Sequence, residues 1–279
     1  MSSRAADRAT RVVVTLALGA VAVVFLLPIA WWVSYAVRGS AGLVSRPLVE
    51  TWIPSSFRFF ENLETAFNLY PLGTFFLNSI LVSGAITVAE VVLASMAGYA
   101  FARFRFPGRN LLFAGVMAML MVPQIVLIIP LFEVVVGLQI ANSLPALIVP
   151  FLVSPFGIFL MRQFMGTIPR EYFEAAQVEG AGEFRIFATI GLPLARNAAL
   201  TLAIFTFLLQ FDSLLWPLVA TSNQESYTLA VGVSLLQTNV QVPYNAIYAA
   251  TLLFSLPVFL LYLVLQRQFM RSLSFGGLK

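Results

Sequence analysis

The sequence predicts an all-α membrane protein with six transmembrane helices and both termini in the cytoplasm. Three observations carry that reading. Of 279 residues, 60% are hydrophobic and 10% are charged, against about 25% charged in an ordinary soluble domain. So few charges cannot cover a soluble fold of this size. Apolar runs of the ~20 residues needed to cross a bilayer core recur along the chain. Arginines crowd into alternate connecting segments, the pattern that sets membrane orientation.

The elements follow in order. A tail of residues 1–11 precedes the first span, Val12–Val37, which is free of charge and longer than the ~7–15-residue core of a signal peptide. Residues 38–71 form an outer loop, where Phe57, Phe59, Phe60 and Tyr70 suit a short helix at the interface, the depth at which aromatic rings anchor. The second span, Leu72–Phe101, contains Glu90. The third, Leu111–Leu131, contains Pro123 and Pro130, expected as kinks. The fourth is Leu144–Met161, followed by an inner loop of residues 162–197. The fifth, Ala198–Ala220, contains Asp212. An outer loop of residues 221–244 is too polar to span and apolar enough to fold back on the outer vestibule. The sixth span is Asn245–Gln266, with Pro257 as a kink, and residues 267–279 form the final tail.

Arg4, Arg8 and Arg11 precede the first span. Arg103, Arg105 and Arg109 separate the second from the third, and Arg162, Arg170, Arg185 and Arg196 the fourth from the fifth. Arg267, Arg271 and Lys279 follow the sixth, leaving only Arg38, Arg46 and Arg58 for the other face. The positive-inside rule places the richer face in the cytoplasm. The basic excess is therefore a topology signal and implies no nucleic-acid partner.

What is missing narrows the chemistry. The chain has no cysteine and no histidine, which removes thiolate nucleophiles, the commonest general base and the commonest metal ligands. Its single lysine is Lys279, so it lacks the lysine of a P-loop. No metal and no cofactor are expected on this chain, and ATP-driven work would need a partner.

The inner loop, with "EYFEAAQVEGAGEFRIFATIGLP" at residues 171–193, concentrates charge in otherwise apolar surroundings. Thr167 suits an N-cap, Pro169 the first helical turn, and Glu171 and Glu174 the positive end of a helix dipole. A short helix is expected over 169–179, ended by Gly180 at positive φ, with a second running from Gly182 to Pro193. Ala175 and Ala176 allow close approach by another surface, beside the apolar area of Tyr172 and Phe173. Such a ridge fits a partner's groove; a solvated loop of ordinary helix propensity is the other reading the residues allow.

The spacing E-A-A-x3-G-x9-I-x-L-P, here Glu174, Ala175, Ala176, Gly180, Ile190, Leu192 and Pro193, resembles the cytoplasmic signature of binding-protein-dependent ABC importer permeases. At average residue frequencies it would arise by chance about 10⁻⁸ of the time per start position. "YAFARFRFPGR" (99–109), "MVPQIVLIIPLFEVVVGLQIANS" (121–143), "SPFGIFLMRQF" (154–164) and "LVLQRQFMRSLSFGGLK" (263–279) are similar to the carbohydrate-uptake branch, the maltose-G type. The resemblance implies a type I ABC importer permease fold in a bacterial inner membrane. It also implies a second homologous permease, two ATPase subunits holding ATP and Mg²⁺, and an extracytoplasmic sugar-binding protein. The loop helix would be the coupling helix, and the chain itself a non-catalytic transport subunit.

Sugar permeases of this type often carry W-N-D-F-x-W-P-L in the fifth span. Here Phe211, Asp212, Ser213, Leu214 and Leu215 precede Trp216-Pro217-Leu218, so that tryptophan and asparagine are replaced. Asp212, Gln210, Asn78 and Gln124 are candidates for the substrate pathway, since an ionisable or amide group at membrane depth is costly without a role. Fastening one helix to another is the competing role for such groups. Glu90 is expected to be structural, pairing with an arginine or capping a helix. Two other readings compete: the same machine carrying glycerol phosphate, an amino acid or another polar solute, and an ion-coupled transporter using Glu90 and Asp212 as a relay.

Overall fold

The computed structural model describes residues 2–39 and 56–274, and side chains within 10–39 and 56–263. Residues 40–55 of the first outer loop, with Arg46, and 275–279 of the C-terminal tail, with Lys279, lie outside them. Among the described residues every regular element is helical. α1 (Ser2–Val37) is continuous from the tail through the first span, with Pro28 inside it. α2 (Phe59–Leu69) is the short helix expected in the outer loop. α3 (Leu72–Arg103) is the second span, two residues longer than expected.

The third span is not one helix. α4 (Arg109–Met119) and α5 (Gln124–Gly137) meet at 97°, because Pro123, extended at φ −61° and ψ 128°, interrupts the ladder. Pro130 makes no kink: it lies in the first turn of the α-helical part of α5, Ile128–Gly137, where a missing N–H costs nothing. The fourth span is likewise broken, α6 (Leu144–Phe151) and α7 (Pro155–Thr167) meeting at 42°. Pro155 follows an extended Ser154, whose side chain accepts the Gly157 N–H and caps α7.

α8 (Glu171–Val178) and α9 (Glu183–Leu194) occupy the loop expected on the inner side. α9 carries one π turn over Phe187–Gly191 and bends by 77° into α10 (Arg196–Phe211). The fifth span then breaks again after Asp212 and resumes as α11 (Leu215–Ala220). Pro217 offers no N–H to Ser213 and obstructs a continuous helix there. α12 (Leu229–Thr238) and α13 (Tyr244–Ser274) complete the chain, with Pro257 inside α13. Thr10–Val37, Leu72–Arg103 and Tyr244–Leu263 are each long and apolar enough to cross a membrane, and the count rises to six if each bent pair is one span.

The described residues fall into two compact units, 2–39 and 56–70 with 233–256, and 71–232 with 257–274. In the first, the C-terminal end of α1 is tied to α2 and α13. Asn62 donates to the carbonyls of Ala36 and Arg38 at 2.9 and 2.8 Å, and Asn245 donates to Asn62. Trp31, Tyr35 and Tyr248 cluster with ring centroids 4.3 to 5.6 Å apart. Phe57 and Phe60 stand exposed on or beside α2 while Asn62 and Ala66 are buried, the two-faced arrangement an interfacial helix requires.

In the second unit α3 is the central post. Gly98 lets α7 approach so closely that a Cβ there would fall 2.7 Å from the Met161 Cβ. One cluster, at residues 82–86 of α3, gathers Val82, Ile86, Val135, Ala146, Leu147, Trp216 and Ala220. Another gathers Ala94, Tyr99, Met161, Met165, Phe173, Ile186, Phe187 and Leu202 beneath the inner loop.

Candidate functional site

α8 starts later than the sequence suggests. Thr167 is not its N-cap but the last residue of α7, its hydroxyl donating to the Phe164 carbonyl at 2.8 Å. Pro169 pushes Ile168 into an extended conformation (φ −71°, ψ 128°), so Arg170 opens the helix and Glu171 and Glu174 occupy its first turn. The other end is closed as expected. Gly180 has φ +81°; its N–H donates to the Gln177 carbonyl at 2.9 Å and that of Ala181 to Ala176 at 3.0 Å, the paired bonds of a Schellman turn.

One face of α8 is buried and the other is open. Phe173 enters the cluster beneath and Ala176 packs on it, as do Ile190 and Leu192 of α9. Glu171, Glu174 and Ala175 are exposed, as is Pro193 at the end of α9. The open face also carries apolar area: Tyr172 is 56% exposed, Val178 89%, and Phe184 on α9 72%. Apolar side chains this exposed beside two carboxylates and an alanine mark a surface made to be covered. Val178 and Phe184 are not among the site residues read from the sequence, whose small-residue pattern pointed only to Ala175 and Ala176.

The support of this ridge comes from α3. Tyr99 donates its hydroxyl proton to Glu183 Oε2 at 3.0 Å, and Gln177 donates to Oε1 of the same carboxylate at 2.8 Å. Arg103 donates from Nη2 to the carbonyls of Met165 and Ile168 at 2.8 and 2.6 Å, and its Cζ lies 3.7 Å from the Phe173 ring centroid. Beside them opens a cleft of about 200 Å³, lined in part by Arg103, Arg105, Arg170 and Glu174. The stretch "YAFAR" contains Tyr99 and Arg103, but no spacing in it announces contacts with residues 62 to 84 positions on.

The pathway candidates are placed differently from one another. Asn78 is buried, its amide donating to the backbone carbonyls of Glu225 and Tyr227 at 2.7 and 2.9 Å, so it fastens the outer loop to α3. Gln124 is exposed at the first position after the break in the third span, and Gln210 is half-buried in the last turn of α10. Asp212 is exposed at the break of the fifth span, where it is the C-cap of α10. Trp216 is buried, its indole donating to the Ala146 carbonyl at 3.1 Å and packing edge-on against Phe151. Glu90 is buried and takes two hydroxyl donors, Ser154 and, at 2.8 Å, Thr206. It thereby joins α3, the cap of α7 and α10. Its partners are hydroxyls where an arginine was the expectation, and its contact with the capping serine is the other half of that reading.

Among the described residues every regular element is thus helical, and three helices are long and apolar enough to cross a membrane. The family of binding-protein-dependent transport system inner membrane components matches residues 90–274, and the chain belongs to that family. It is 35% identical over 206 residues to the arabinooligosaccharides transport system permease protein AraQ of Halalkalibacterium halodurans, covering 74% of each chain. It is 36% identical over 208 residues to the sn-glycerol-3-phosphate transport system permease protein UgpE of Yersinia pestis, again covering 74% of each. Its fold is that of a bacterial ABC transporter involved in the import of the acidic polysaccharide alginate, with a TM-score of 0.83 over 96% of this chain and 98% of that one at 21% identity.

Proposed function

We propose that this chain is a permease subunit of an ATP-driven importer of sugars, set in a bacterial inner membrane with both termini on the ATPase side. It forms half of the translocation pathway with a second homologous permease and performs no chemistry itself. Two ATPase subunits supply ATP and Mg²⁺, and an extracytoplasmic binding protein delivers the cargo. The observation that carries this is the exposed ridge of Tyr172, Glu174, Ala175 and Val178. It bears the family's spacing, and among the described residues it stays exposed. Family membership and an oligosaccharide permease among the relatives support the cargo class. The glycerol phosphate permease keeps a phosphorylated polyol as the second reading.

Glu174→Lys reverses a first-turn charge that favours the helix dipole, and Gly180→Leu places a branched side chain at φ +81°, a conformation costing roughly 1–2 kcal/mol for a non-glycine residue. Both variants are expected to insert into the membrane and to abolish uptake of labelled sugar while ATP hydrolysis continues. Native uptake in both would overturn the coupling reading. Melting of the binding protein against a sugar and a glycerol phosphate panel separates the two cargoes.

A further inference from the structure

We propose that the last turn of α3 is the mount of α8, with Arg103 and Tyr99 as its positioning residues. Displacement of α8 by an ATPase is then delivered directly to α3 as well as to α7 and α9, its neighbours in sequence. The inference rests on the coupling reading above.

The chain creates the need for such a mount at its own proline. Pro169 has no N–H, so the Met165 carbonyl four residues earlier lacks its helical donor, and Ile168 is held extended before the proline. Arg103 gives both hydrogens of Nη2 to these two carbonyls and lays its plane on Phe173, in the first turn of α8. One turn earlier on α3, Tyr99 holds Glu183, which in turn holds Gln177 near the end of α8. The two Arg103 bonds hold the end of α7 and the residue before the proline. α8 itself is held at its first turn through Phe173 and at its last through Gln177 and Glu183, all from a single turn of α3. Any slide or roll of α8 must either carry α3 with it or break the ring contact and the charge-assisted bonds to the Glu183 carboxylate, which are roughly twice as strong as neutral ones. Lysine cannot replace Arg103, since it offers neither the fork nor the planar face.

The test uses the assembled importer in proteoliposomes, with both permeases, the ATPases and the binding protein. The double variant Tyr99→Phe with Arg103→Lys is expected to assemble with its ATPases and to move about tenfold less substrate per ATP, the scale of one lost charged hydrogen bond. The native chain has no cysteine, so with partner subunits made cysteine-free, spin labels can be placed at Glu179→Cys and Arg105→Cys alone. Their separation is expected to be the same in nucleotide-free and ATP-trapped complexes, and to spread in the double variant. A separation that shifts between the two states would overturn the proposal, as would native stoichiometry in the double variant. Should that variant fail to assemble, the label distance in the native background still decides. Glu174→Lys is run beside it. If it uncouples transport while the double variant does not, only the mount fails. If it and Gly180→Leu both keep native stoichiometry, the coupling reading has failed with it.

Discussion

Glu90 illustrates how a single side chain can tie three helices of one bundle together. Buried in the second span, it accepts from Ser154 and Thr206, and Ser154 in turn accepts the Gly157 N–H. Gly157 is small for a reason: a Cβ there would lie 2.8 Å from Glu90 Oε1 and 3.0 Å from the Ala94 Cβ. Gly157→Ala is therefore expected to lower stability by about 1–3 kcal/mol through overpacking, read as a lower melting temperature in detergent. Glu90→Ala strands both hydroxyls and is expected to cost roughly 1–3 kcal/mol. Glu90→Gln keeps the shape and one acceptor and is expected to cost less. The reverse order, or a Glu90→Ala protein that melts like the native one while losing transport, would move Glu90 from scaffold to pathway.

At the scale of elements, α8 shows what a short helix needs in order to hold its shape. Eight residues are too few to be stable on their own in water, so its order comes from the Schellman turn at Gly180, from Phe173 buried beneath, and from α3. Ala175→Leu adds bulk only to the exposed face. It is expected to leave the melting temperature of the permease unchanged and to cut ATPase retention on purification at least about tenfold, the effect of some 1.4 kcal/mol of lost binding. Unaltered retention would show that this face is not the docked one. Much of this element is legible in the sequence: its helix, its glycine stop and the second helix behind it. Its start is not. Thr167 and Pro169 look like a cap and a first turn, yet α7 claims Thr167 and the proline forces its predecessor extended. Local propensity cannot decide between two helices competing for one threonine.

Across the whole molecule, hydropathy indicates roughly where the three unbroken apolar helices Thr10–Val37, Leu72–Arg103 and Tyr244–Leu263 lie, because it is a property of composition along the chain. The breaks are a different matter. Pro123 and Pro130 read alike in the sequence, but only Pro123 falls where the ladder must stop. Asp212 reads as an acid inside a span and instead ends a helix. Asn78 reads as a pathway amide and is committed to two carbonyls far along the chain. Each outcome depends on partners that only the folded chain brings near. The expected orientation has a direct test in the chain's lack of cysteine. A membrane-impermeant thiol reagent should reach Phe57→Cys in intact cells and Val178→Cys only in inverted vesicles. Labelling of both from the same side would overturn the six-span topology.

The grip of Tyr99 and Arg103 on the inner loop also bears on how such permeases can be recombined. Grafting residues 171–193 alone into another transporter would carry over a key without the hand that turns it. A working chimera should need the donor's residues 99–103 as well, and a lineage that exchanged one segment would be expected to have exchanged the other.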